Sequence, residues 1–107
     1  MERRVKEEVA DRVVIVTGAS RGIGRAVVGD LLSRGARVAA CARGSEGLER
    51  LRSEASGERL VCVAGDVSQQ ADVDRVVAAC LERFDRVDGL VNNAGLDRKS
   101  TRLNSSH

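Results

Sequence analysis

The residues best placed to do chemistry lie in one octet, Thr17-Gly18-Ala19-Ser20-Arg21-Gly22-Ile23-Gly24. Glycines leave backbone N–H groups bare of side chains. When a helix begins just beyond them, those N–H groups and the positive end of the helix dipole hold an anion, above all a phosphate. Each glycine has its own task in such a turn. Gly18 lets the chain turn sharply off whatever precedes it, Gly22 carries no side chain to keep the backbone from a pyrophosphate, and Gly24 lets the helix start close to its neighbour. Two further polar stretches, Gly65-Asp66-Val67 and Asn92-Asn93-Ala94-Gly95, each follow a short apolar run. They are candidates for the same site if the fold brings the ends of those runs together.

The elements that would do this are legible in the apolar pattern. Arg12–Thr17 carries VVIV, a β-branched run that predicts a strand buried on both faces. The stripe Ile23, Val27, Val28, Leu31 and Leu32 predicts a helix that Gly35 ends in the C′ position. Arg37–Ala42 predicts a smaller, Ala-rich second strand. Ser45 is placed to cap a helix that turns Leu48, Leu51 and Ala55 inward and closes at Gly57. Arg59–Ala64 predicts a third buried strand. Ser68 stands where the cap of a further helix belongs, and Val73, Val76, Val77, Cys80, Leu81 and Phe84 form its inner face. A fourth strand starts at Gly89–Val91. Strands alternating with helices over short connections predict parallel pairing with right-handed crossovers. The fold class expected is α/β, the first half of a Rossmann-like doubly wound parallel sheet, in the spatial order 3-2-1-4.

Composition narrows the function classes. The 107 residues are 42% apolar and 32% charged with a net charge of +2, and the basic residues are spread along the chain. No polybasic run marks a nucleic-acid or membrane surface. The stretch from Met1 to Ala10 is a polar extension without the apolar region of a signal peptide, and a cytoplasmic location is the expectation. Cys41, Cys62 and Cys80 each sit in an apolar stretch and predict buried, reduced thiols. No pair of them has metal-ligand spacing, so no metal site is expected. The chain has one Phe and no Tyr, Trp or Pro, so its core must be built from Val, Leu, Ile and Ala.

TGASRGIG at 17–24 is similar to the TGxxxGxG signature of the short-chain dehydrogenases/reductases. Asn92-Asn93-Ala94-Gly95 resembles that family's NNAG motif after the fourth strand, and Gly65-Asp66-Val67 its Asp-Val pair after the third. The resemblance spans 11–96, and within the family it looks most like the 3-oxoacyl-carrier-protein reductase type. It implies a nicotinamide dinucleotide bound by Gly18, Ala19, Ser20, Arg21, Gly22, Ile23, Gly24, Arg43, Asp66, Val67, Asn93, Ala94 and Gly95. By the same resemblance Asp66 accepts from the adenine amine, Val67 packs on the ring, Asn93 contacts the adenosine side and ties strands together, and Ala94 and Gly95 let the cofactor pass close. Where the family places an acid on the ribose 2′-hydroxyl, this chain has Ala42, followed by Arg43. Arg43 and Arg21 would then bracket a 2′-phosphate, and the expectation is NADP(H) over NAD(H).

The family's chemistry uses a Tyr, a Lys four residues later, a Ser and an Asn in a helix after the fourth strand. With no Tyr in the chain, catalysis is expected only of a longer parent protein, an NAD(P)-dependent oxidoreductase moving hydride to or from a carbonyl or alcohol. The parent is expected to be a homo-oligomer, dimer or tetramer. Residues 97–107, DRKSTRLNSSH, break from the rest in composition. Back-translated, they match a standard short-read sequencing adapter codon for codon. They are read as a non-native tail. The competing reading keeps the fold without turnover, as a nucleotide-binding or sensor protein.

Overall fold

A computed structural model describes residues 9–20, 22–54 and 57–93. Seven elements follow one another: β1 (Val13–Thr17), α1 (Gly22–Ser33), β2 (Arg37–Ala42), α2 (Ser45–Glu54), β3 (Leu60–Ala64), α3 (Gln70–Phe84) and β4 (Gly89–Asn92). The four strands are parallel and lie in the order β3-β2-β1-β4, as the alternation predicts. Register brings their carboxyl ends level: Thr17 lies beside Cys41 on one side and beside Asn92 on the other. The loops that follow β1, β2 and β3, and Asn93 after β4, therefore lie at one end of the sheet.

The two faces of the sheet bury different halves of each strand, because strand side chains alternate. Val16, Val38, Ala40 and Ala42 pack with Val28 of α1 and Leu48 and Leu51 of α2. On the other face Val13, Ile15, Ala39 and Cys41 pack with Val76, Cys80 and Phe84 of α3. Small residues in β2 let both layers of helices close on it, and Ala39 and Ala40 are fully buried. Burying a Val or Phe side chain is worth about 1.5–3 kcal/mol, so these two layers supply most of what holds the unit together.

The helix ends follow local chemistry, with two departures from the pattern-based reading. Gly35 takes φ +91° and the Ala36 N–H donates to the Leu31 carbonyl at 3.0 Å, a Schellman closure with Gly35 at C′. The cap of α3 is Gln69 and not Ser68, and it makes no side-chain cap bond. Ser68 is diverted: its N–H and hydroxyl both donate to Asp66 Oδ1, at 2.9 and 2.8 Å. Ser45 is the first helical residue of α2. At the far end of α3, Asp85 takes the left-handed conformation (φ 68°) that usually falls to glycine.

Burial departs from expectation at the margins. β3 is half-buried, because it is the edge of the sheet, and Cys62 on it is only partly covered, unlike Cys41 and Cys80. Ile23 is 64% exposed, because the first turn of α1 projects past the end of the sheet. Leu81 is 46% exposed on the flank of α3, and Leu90 is 62% exposed on β4. The expected extension reaches the described residues only at Val9 and Ala10. There the chain is tied to the α1–β2 turn, with the Asp11 N–H donating to the Gly35 carbonyl at 2.9 Å. Ala55 and the tail at 97–107 lie outside the described residues.

Candidate dinucleotide-binding site

β1 delivers the glycine turn. Val13 and Val16 anchor the strand with no exposed surface, and Gly18 then reverses the chain at φ +60°. Gly22 takes φ +59°, and a Cβ built on it meets nothing within 4 Å. Among the described residues, nothing fills the space beside Gly22. Gly24 is the opposite case. A Cβ there would lie 2.0 Å from the Gly18 carbonyl oxygen and 2.7 Å from Asn93 Nδ2. Only glycine lets α1 start this close to the end of β1.

Asn93, only 3% exposed, donates from Nδ2 to the Gly18 carbonyl at 3.2 Å. It fastens the end of β4 to the glycine turn, which is half of the role its motif implies. Below it, the Thr17 hydroxyl donates to Asn92 Oδ1 at 3.0 Å. The Ala19 N–H donates to the Cys41 carbonyl at 3.1 Å, so the turn is also tied to β2. Ser20 packs against α2, where a Cβ on Gly47 would come within 2.6 Å of Ser20 Cβ.

The other described candidates lie at the carboxyl ends of β2 and β3 and at the start of α1. Ala42 ends β2 and is buried, and Arg43 follows it exposed. Arg43 makes no hydrogen bond or ion pair among the described residues. Asp66 follows Gly65 in the loop after β3, and Val67 is half-buried against the cluster under α3. Ile23 stands exposed at the start of α1, beside the turn. Arg21, Ala94 and Gly95 lie outside the described residues.

Pattern-based reasoning missed the groups that hold these loops from behind. Asp72, in the first turn of α3, accepts from the Asp66 N–H at 2.8 Å. That bond, and the Arg75 guanidinium beside it, hold the Asp72 carboxyl below the usual carboxylate range. At the other end of the sheet Asp88 accepts from the Val13 N–H at 2.8 Å and from Arg86 at 2.7 Å. Those bonds hold Asp88 low as well, Arg86 contributing most. An acid at helix position N3 is the one local signal for Asp72. Burial pushes the Cys41 thiol up, as suits a packing thiol. Among the described residues no group of three His, Cys, Asp or Glu side chains could hold a metal. None of the described helices is long and apolar enough to cross a membrane.

A glycine turn at the carboxyl end of β1, next to the reversal of strand order between β1 and β4, defines the first half of a Rossmann-like fold. The family model for short chain dehydrogenases matches residues 12–107, and the chain belongs to that family. A cis-2,3-dihydrobiphenyl-2,3-diol dehydrogenase from Rhodococcus globerulus is 44% identical over 93 residues, covering 87% of this chain and 33% of that protein. The solved 3-ketoacyl-(acyl-carrier-protein) reductase from Brucella melitensis, complexed with NADH, superposes with a TM-score of 0.72 at 36% identity. It covers 77% of this chain and 34% of that one. The C-domain of a bacterial malonyl-CoA reductase with NADP superposes at 0.76 and 28% identity, covering 87% of this chain and 16% of that one. The chain spans about a third of the length of the curated relatives it matches.

Proposed function

We propose that this chain forms the cofactor-binding third of an NAD(P)-dependent oxidoreductase that moves hydride between a nicotinamide and a carbonyl or secondary alcohol. The observation that carries the reading is the glycine turn itself. Gly18 and Gly22 hold left-handed backbone, no described residue fills the space beside Gly22, and Gly24 admits α1 close behind it. A helix start arranged this way offers N–H groups and a positive dipole to a pyrophosphate. The nicotinamide, when bound, supplies the redox chemistry. This chain's residues bind and orient it: Gly18, Ala19, Ser20, Arg21, Gly22, Ile23 and Gly24 toward the pyrophosphate, Asp66 and Val67 toward the adenine, Asn93, Ala94 and Gly95 along the crevice.

The cofactor of choice is NADP(H). β2 ends in Ala42, without the carboxylate that would repel a 2′-phosphate, and Arg43 stands beside it in solvent with its guanidinium uncommitted among the described residues. Among the similar structures one is a complex with NADH and another contains NADP, so the preference rests on Ala42 and Arg43. With no Tyr to transfer a proton, the 107-residue chain alone turns over nothing. Catalysis belongs to the longer protein, a cytoplasmic homo-oligomer, and residues 97–107 are read as a translated adapter.

The test is a titration of the full-length protein with NADPH and NADH by nicotinamide fluorescence. NADPH should bind at least about tenfold more tightly, and Arg43→Ala should remove most of that margin, the worth of one charged contact. Equal affinities, or an Arg43→Ala protein with its preference intact, would defeat the NADP(H) assignment.

A further inference from the structure

The loop that leaves β3 has a partner for every backbone polar group from the Ala64 carbonyl to the Asp66 carbonyl. The Ala64 carbonyl accepts from Arg75 Nη2 at 2.7 Å. The Gly65 N–H donates to the Ala42 carbonyl at 2.9 Å, and the Gly65 carbonyl accepts from the Cys41 thiol at 3.7 Å. The Asp66 N–H donates to Asp72 Oδ2 at 2.8 Å, and the Asp66 carbonyl accepts from the Gln69 N–H at 2.9 Å. Two of these partners, Asp72 and Arg75, are side chains of α3, and they bond each other at 3.1 Å. They also close on Gly65, where an added Cβ would stand 3.1 Å from Arg75 Nη2 and 3.3 Å from Asp72 Cβ.

Asp72 is the third residue after the cap Gln69. An acid there ordinarily turns back to the cap's own N–H and completes a capping box. Here the Gln69 N–H is taken by the Asp66 carbonyl, and Asp72 reaches past the cap to a residue six positions upstream. One carboxylate oxygen is spent on the loop and the other on Arg75, and neither on the cap of its own helix.

We propose that Asp72 and Arg75 form a brace that fixes the Gly65-Asp66 backbone in the conformation that receives the adenine end of a dinucleotide. Asp72 is thereby a positioning residue for cofactor binding. The proposal rests on the cofactor reading above. A loop with its polar groups already satisfied loses little freedom when a ligand arrives. Remove the carboxylate, and the Asp66 N–H must find water while Arg75 loses its anchor.

The brace predicts a loss confined to one end of the cofactor. The full-length protein is titrated with NADPH and with reduced nicotinamide mononucleotide, which lacks the adenosine half. Exchange of the Asp66 amide is followed in parallel by NMR. Asp72→Ala should weaken NADPH about tenfold, leave the mononucleotide within about twofold, and speed Asp66 exchange. Asp72→Asn, which still offers an oxygen to the Asp66 N–H, should stay within about threefold of wild type for both ligands. If Asp72→Ala does not fold, as judged by its thermal transition, Arg75→Ala takes its place and the ratio of the two affinities decides. Equal losses for both ligands, or faster exchange with NADPH affinity unchanged, overturn the brace while leaving the cofactor reading intact. A wild-type protein that binds neither ligand overturns the cofactor reading, and the brace falls with it.

Discussion

Gly24→Ala and Gly29→Ala make the same substitution in the same helix and should have opposite effects. Alanine in place of glycine stabilises an open helical position by about 0.5–1 kcal/mol. At Gly29 nothing lies within 4 Å of the new Cβ and the site is exposed, so that gain is realised in full. At Gly24 the Cβ would stand 2.0 Å from the Gly18 oxygen and 2.8 Å from the Gly18 carbonyl carbon. Backbone atoms cannot swing aside as a side-chain tip does, so the turn and α1 must part by more than about 1 Å to reach ordinary contact distance. Overpacking costs about 1–3 kcal/mol, and parting the turn from α1 also strains the Asn93 bond to Gly18, worth about another 1 kcal/mol. The clash outweighs the propensity gain.

In a protein of family length each kcal/mol moves the melting temperature by roughly 2–4 °C. Gly24→Ala should therefore melt several degrees below wild type, and Gly29→Ala at or slightly above it. A turn displaced by about 1 Å also meets the pyrophosphate badly, and NADPH affinity should fall at least about tenfold. Thermal denaturation of the two variants, with a fluorescence titration of each, decides the matter. A Gly24→Ala protein that melts as high as Gly29→Ala, or that binds NADPH as wild type does, would refute the packing argument.

The sole aromatic, Phe84, closes the core under α3 and is 7% exposed. Phe84→Ala should cost about 3–5 kcal/mol, read as a lower urea midpoint, and a cost under about 1 kcal/mol would show that the site collapses around the cavity. Asp72 and Asp88 are held below the usual carboxylate range. Their stabilising contribution is in place above about pH 4, the ordinary carboxylate value, and is lost as pH falls through their lowered values. The urea midpoint should drop on acidification below about pH 4, and Asp88→Asn should flatten that drop. An unchanged slope in the variant would remove Asp88 from the account.

What could be read in advance was what local geometry dictates. β2 has the bounds its apolar run predicts, Arg37–Ala42. Gly35 sits at C′ because only a residue tolerant of positive φ closes that turn cheaply. Gly24 lets α1 start close to the end of β1, as its place in the turn predicts. Ile23 was misread because helical period says which residues share a face, not whether the sheet extends beneath that face. Leu81 fails for a related reason. It lies on the flank of α3 away from Arg83, which reaches the Glu58 carbonyl at 3.3 Å next to β3. Ser68 has the right chemistry for a cap, but its hydroxyl is turned back to Asp66 two residues earlier and the helix starts after Gln69. The Asp88 bond to Val13 joins residues 75 apart, and no periodicity encodes a side chain meeting a backbone group at that distance.

The seam between β1 and β4 is fastened by different chemistry at its two ends. At the amino end the clasp is ionic, Asp88 with Arg86 and the Val13 N–H. At the crevice end it is made of neutral groups, the Thr17 hydroxyl with Asn92 and the Asn93 amide with the Gly18 carbonyl. Salt and acid weaken the first kind of bond far more than the second. Either stress should therefore loosen the seam first at the end remote from the crevice. A neutral clasp also adds no fixed charge of its own at the crevice end of the sheet.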